Sequence, residues 1–152
     1  MIIISHRGNI NGPQPEHENK PEYVDAAIKL GYDVEIDLRM KDGKFYLGHD
    51  EPQYEVKTSW LIQRQIDLWV HCKDIEAFEE ALDIGLHCFW HHGDDYTLTS
   101  EKYIWAHTKS ETPDWHSIIL VLPENAHMFG IENKDISNFS GICTDYPIQY
   151  EN

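Results

Sequence analysis

Polar, turn-rich stretches cut the chain into short apolar runs, and no run is long enough for a buried helix. Seven runs, at 1–5, 33–39, 68–72, 87–90, 103–106, 118–122 and 141–144, have strand length and are rich in aliphatic and aromatic residues. Helix-like segments separate several of them. That alternation reads as βα units wound into a mainly parallel sheet, an α/β class. Pro21 suits the first turn of a helix over 21–31 that Gly31 ends, with Tyr23, Ala26, Ala27 and Leu30 on one face. A second helix covers 75–82, and helical signal is weak between the fourth and sixth runs. No internal repeat, low-complexity tract or linker is visible, so one domain over 1–152 is expected.

The balance of 27 acidic to 12 basic residues, a formal charge of −15, argues against a nucleic-acid partner, which requires a basic face. It leaves room for an anionic substrate held locally. Cys72, Cys88 and Cys143 are too few and scattered for a disulfide framework, and Cys72 and Cys143 lie in apolar runs that suit buried thiols. The N-terminal apolar run stops at Ile4, unlike a signal peptide, and no stretch approaches about 18 apolar residues. No membrane insertion and a cytoplasmic location are therefore expected.

Polar residues with chemical potential collect at the ends of these runs. They read Ser5-His6-Arg7-Gly8, Glu35-Ile36-Asp37 and Gly48-His49-Asp50. Asp42-Gly43 marks a tight hairpin with 44–48 returning, which brings His49 opposite 36–37. Glu35 and Asp37, two apart in a strand, face the same side, as a shared cation requires. The set supplies two imidazoles for proton transfer, a guanidinium for a phosphate oxygen and two carboxylates for a hard cation. His71 and Lys73 share a face at the end of the third run. His71 stands as either a ligand or a packed histidine supporting the ligands, and Lys73 as a phosphate contact or a surface lysine. One of His91 and His92 is a candidate for the site wall. Trp90 and Trp105 are expected in the core, with an apolar wall for a substrate's alcohol as the alternative; Glu18-Asn19 are expected as organisers of the first loop, Asp94-Asp95 as a turn, and Asp145 as a strand-end cap.

These motifs resemble the glycerophosphodiester phosphodiesterase family, within the phosphatidylinositol-phospholipase-C-like superfamily. The resemblance runs through His6-Arg7-Gly8, Glu18-Asn19, Glu35-x-Asp37, Asp42-Gly43 and His49-Asp50, and resumes at Gly141-Ile142-Cys143-Thr144-Asp145-Tyr146-Pro147. The region from about 85 to 135 departs from it. The resemblance implies a TIM-type barrel with its site at the C-terminal ends of the strands. It also implies roles: His6 and His49 as the catalytic acid/base pair, Arg7 on the substrate phosphate, Glu35 and Asp37 on one divalent cation, Mg²⁺ or Ca²⁺. The expected activity is metal-dependent hydrolysis of a small glycerophosphodiester or polyol phosphodiester, through a cyclic phosphate. A lyase that stops at the cyclic product, and a non-catalytic phosphate-binding module, remain open.

Two departures matter. The family's Glu-x-Lys on the third strand is His71-Cys72-Lys73 here. If His71 ligates, the donor set leans toward Mn²⁺ or Zn²⁺. And 152 residues spread over eight βα units leave 19 each, against the about 200 or more residues of ordinary TIM barrels. A reduced barrel of seven to eight parallel strands, with helices shortened or missing, is expected. Its uncovered flanks would allow a homo-oligomer.

Overall fold

The computed structural model describes residues 1–111, 115–131 and 135–151. In chain order these form β1 (Ile2–His6), α1 (Pro21–Lys29), β2 (Asp33–Lys41), β3 (Lys44–Leu47), β4 (Tyr54–Val56), α2 (Thr58–Gln63), β5 (Leu68–Cys72), α3 (Ile75–Asp83), β6 (Cys88–Phe89), β7 (Tyr96–Leu98), β8 (Ile104–His107), β9 (Ile118–Val121) and β10 (Gly141–Thr144). Short 3-10 turns occupy Pro123–Phe129 and Pro147–Tyr150.

Seven strands run parallel in the order β6-β5-β2-β1-β10-β9-β8, and they coincide with the seven apolar runs of the sequence. β3 and β4 extend β2 as an antiparallel hairpin and edge strand, and β7 pairs antiparallel with β8. The sheet curls until its ends meet. The rings of Phe89 on β6 and Trp105 on β8 sit 4.7 Å apart although their strands are at opposite ends of the parallel order. Ile4, Trp69, Phe89, Trp105, Ile119 and Cys143 fill the interior, one from each parallel strand except β2. At that level β2 contributes Glu35, registered against Trp69. Each large side chain buried this way contributes about 1.5–3 kcal/mol. The remaining gap is bridged outside the ladder: the Ser100 N–H donates to Cys88 O at 2.9 Å and Thr97 Oγ1–H to Trp90 O at 3.3 Å. This is a reduced TIM-type barrel.

The helices are unevenly distributed. α1 and α3 pack on the outer face of β2, β5 and β6 over a large apolar cluster. Among the described residues no α-helix follows β6, β8 or β9; a hairpin, loops and a 3-10 turn take their place. The outer face of β8–β10 is covered instead by Ile136, Phe139 and Tyr150.

Three expectations from sequence need correction. α1 buries Val24 and Ala27 with Ile28 beside them, while Ala26 and Leu30 face solvent, because the helix is rotated to lay its β-branched residues on β2. It also ends at Lys29, two residues short of Gly31. Trp90 is 39 % exposed, since β6 stops at Phe89 and the next ring swings outward. The three cysteines are free and buried. No helix among the described residues is long and apolar enough to cross a membrane.

Candidate active site

β1 carries the central histidine between two neighbours. Its register sets Ser5 beside Thr144 and His6 beside Glu35. One step beyond Thr144, Asp145 reaches His6, and Nδ1 and Asp145 Oδ1 are 2.7 Å apart. On the other side His6 Nε2 faces Glu35 Oε2 at 3.9 Å. Burial opposes the imidazolium, but the Asp145 hydrogen bond and the Glu35 charge outweigh it and raise the His6 pKa above the ordinary histidine value. Asp145 is lowered against its own burial by His6, Asn9 and Arg7. Asp145 is itself anchored: Asn9 Nδ2 donates to Oδ1 at 2.8 Å, and its backbone N–H donates to Glu124 Oε1 at 2.8 Å.

Arg7 leaves β1 in the left-handed region at φ 55, a conformation that costs a non-glycine residue about 1–2 kcal/mol. Two backbone bonds hold it there, Arg7 N–H to Glu35 O at 2.9 Å and Asn19 N–H to Arg7 O at 3.1 Å. The guanidinium thereby turns back over the site, 3.0 Å from Asp37 Oδ2 and 3.1 Å from Glu18 Oε2. Glu18-Asn19 does organise this loop, and it also reaches Asp37. Asn19 donates to Asp37 Oδ2 and accepts from the Asp37 N–H, both at 2.9 Å.

Glu35 and Asp37 are inward-facing on β2 and almost fully buried. The parallel register sets His71 against Asp37. His71 Nδ1 lies 3.6 Å from Glu35 Oε1 and 3.5 Å from Asp37 Oδ1, and Lys73 Nζ lies 3.6 Å from the same Asp37 oxygen. Burial works against the Asp37 carboxylate, but Arg7, His71, Lys73 and Asn19 hold its pKa below the usual value. Glu35 Oε2 and Asp37 Oδ1 are buried and accept no hydrogen bond. Glu35, Asp37 and His71 offer donor atoms all within 4.8 Å of one another. Two carboxylates with idle oxygens beside an imidazole fit a divalent cation.

His49 joins through the hairpin. Leu38 pairs with Leu47, and Gly48 N–H donates to Asp37 O at 3.0 Å. His49 thus stands at the rim opposite 36–37, its Nδ1 2.8 Å from Asp50 Oδ1. A cavity of about 270 Å³ is lined by His6, Arg7, Glu35, His49 and His71, with Trp105 and His107 on the far wall. Of the seven residues singled out, six are linked by direct contacts and His49 shares the cavity.

The site contains more than those seven. His91 stacks on His71 at 4.7 Å, and burial with the nearby His71 and Lys73 charges lowers its pKa to about 4. His92 and Asp94 form a turn, with His92 N–H donating to Asp94 Oδ2 at 3.3 Å. Trp105 is in the core and also meets the cavity. Asp145, expected as a strand cap, partners the central histidine instead. The signal for it lies in pairing the last run with the first: aligning Thr144 with Ser5 puts Asp145 beside His6.

No family model matches this chain, and no curated protein matches it. Among solved structures it is similar to a glycerophosphodiester phosphodiesterase from Agrobacterium tumefaciens. The TM-score is 0.56 and the identity 16 %, covering 97 % of this chain and 96 % of that one. The likeness is one of fold.

Proposed function

We propose that this barrel is a phosphodiester hydrolase acting on a small glycerophosphodiester or polyol phosphodiester. The observation that carries the reading is the arrangement around His6. It is an imidazole held at Nδ1 by a carboxylate, with Nε2 facing a buried carboxylate pair flanked by Arg7 and Lys73. The fold likeness to a glycerophosphodiester phosphodiesterase supports it.

Glu35, Asp37 and His71 would hold one divalent cation. Bound there, it supplies positive charge against the phosphoryl oxygens as negative charge builds up on them. Arg7 and Lys73, already turned toward Asp37, bind and orient the phosphate from either side. A hydroxyl neighbouring the phosphodiester attacks phosphorus, and His6 Nε2 accepts its proton. Asp145 fixes the tautomer that leaves Nε2 free and stabilises the imidazolium that forms, the division of labour known from carboxylate–histidine pairs. His49, at the rim, protonates the departing alkoxide. The cyclic phosphate that results is opened by water with the two histidines exchanging roles.

The test is a panel of phosphodiesters with Mg²⁺, Ca²⁺, Mn²⁺ and Zn²⁺ in parallel. Turnover that is abolished by chelator and falls on the order of 10²-fold in both His6→Ala and His49→Ala is the expected result. Turnover unchanged in both variants would refute the acid/base assignment. A cyclic phosphate that accumulates without opening would identify a lyase.

A further inference from the structure

Arg39 continues the line of Glu35 and Asp37 along β2, on the same face, and lies one step past the Leu38–Cys72 register pair beside Lys73. Its guanidinium is bound to the rim by two backbone carbonyls. Nε donates to Gly48 O at 2.9 Å and Nη2 to His49 O. These contacts fix the guanidinium without neutralising it. Of the chain's three arginines, Arg7 is ion-paired with Asp37 and Glu18, and Arg64 with Asp25. Among the described residues no carboxylate pairs with Arg39.

This unneutralised cation opens onto a second cleft. It has a volume of about 630 Å³ and adjoins the catalytic cavity, with which it shares His49, His71 and His91. Arg39 and Lys73 sit in its lining, Trp90 forms an exposed aromatic wall, and Asp50 is the acid in its lining, engaged with His49. In a chain of net charge −15, with 27 acidic residues, this guanidinium is held by carbonyls and leaves a local positive spot facing the cleft. A guanidinium with its remaining N–H groups free presents a fork matched to an oxyanion. Two residues along a strand is roughly 7 Å. That is a span a short polyol bridges between a phosphate near Asp37 and a second anion at Arg39.

We propose that this cleft receives the alcohol side of the substrate and that Arg39 binds a second oxyanion on it, so the enzyme selects phosphodiesters whose alcohol is itself anionic over those with neutral or cationic alcohols. The inference rests on the phosphodiesterase reading for the position of the first phosphate. Its test therefore includes a binding arm that needs no turnover. Metal-loaded wild type, Arg39→Gln and Arg39→Lys are titrated calorimetrically with glycerol 3-phosphate, 3-phosphoglycerate and glycerol 1,3-bisphosphate. Wild type should bind at least one two-anion probe about tenfold or more tightly than glycerol 3-phosphate. Arg39→Gln should erase that increment while keeping the glycerol 3-phosphate affinity, and Arg39→Lys should retain part of it. The carboxylate and phosphate probes distinguish which oxyanion the fork prefers. In the kinetic arm, kcat/KM for a diester with an anionic alcohol, relative to one with a neutral alcohol, should fall by a similar factor in Arg39→Gln. An equal loss on both diesters would show that Arg39 only props the His49 loop, and would overturn the proposal while hydrolysis stands. The calorimetric increment without turnover of any diester would uphold the cleft and remove the hydrolase. Equal affinity of wild type for all three probes would overturn the cleft.

Discussion

Asp145→Ala is the most exacting single perturbation, because two energies hang on one carboxylate. It removes the 2.7 Å bond to His6 and the 2.8 Å bond from Asn9 Nδ2, while Asn9 keeps its 2.9 Å bond to Glu18. Both members of the His6–Asp145 pair are largely buried. A hydrogen bond to a charged partner in that setting is worth about 1.5–3 kcal/mol, which for a chain of this size is roughly 3–12 °C in melting temperature. The sign with pH follows from the two shifts. The His6 pKa is raised, so its contribution is fully present below the unfolded value near 6.5 and is lost as pH rises through the folded one. The Asp145 pKa is lowered, so its contribution is present above the unfolded value of 3.8 and is lost as pH falls through the folded one. The gap in melting temperature between wild type and Asp145→Ala, measured on chelator-treated protein, should therefore be widest between about pH 4 and 6.5 and narrow on both sides. Asp145→Asn keeps the acceptor oxygen and removes the charge, so it should recover part of the geometry and little of the pH dependence. Turnover should fall on the order of 10²-fold in both. A gap of equal size at pH 5 and pH 9 would show that Asp145 does not hold His6 charged, and the reasoning would fail.

Other consequences can be checked separately. Glu35→Gln and Asp37→Asn should each weaken Mn²⁺ binding by at least about tenfold in calorimetry, and wild-type affinity in both would rule the site out. Metal at about 100 times its Kd should stabilise the wild-type fold by about 2.7 kcal/mol, visible as a higher melting temperature. His71→Ala should raise the metal concentration needed for half-maximal rate, and His71→Glu should move preference toward Mg²⁺ or Ca²⁺; an unchanged titration would make His71 a packing residue. Gly48→Ala places a Cβ 2.1 Å from Glu51 O at a φ of 153, so the His49 loop must shift. Stability should fall by about 1–3 kcal/mol along with kcat, and an unmoved denaturation midpoint would contradict the close approach.

The parallel strands were legible because each is short, apolar and bounded by turn residues, and burial on both faces leaves no other use for such runs. Glu35, Asp37, His71 and Lys73 were legible for a related reason: alternation in a strand fixes their common face before any tertiary contact is known. The His6–Asp145 pair was not. It joins residues 139 apart, and only the closure of β10 against β1 brings them together. The rotation of α1 was missed because Tyr23, Ala26, Ala27 and Leu30 and the observed Val24, Ala27 and Ile28 are neighbouring stripes of one short helix. Packing against β2, which no local pattern records, selects between them. Trp90 reads as core because it closes the fourth apolar run, whereas its place is decided by where β6 ends.

The uneven loss of helices has a physical logic that bears on the site. Glu35, Asp37 and His71 lie on β2 and β5, with Lys73 one residue past β5, and these are the strands that α1 and α3 brace from outside. Burying two carboxylates close together demands that their cationic and amide partners be held within tenths of an ångström, because an unmatched buried charge costs several kcal/mol. That precision requires rigid strands, and packed helices supply it. The opposite wall of the cavity, Trp105, His107, Val121 and Leu122, is largely apolar and needs shape more than exact hydrogen-bond geometry. Loops and a 3-10 turn suffice there. Asp145, next to β10 on that side, is anchored by Glu124 from the 3-10 turn at 123–129 instead of by an α-helix. A barrel can lose helices and keep a charged site when the losses fall on the side where the lining is least charged, and the distribution of α1 and α3 against these residues fits that rule.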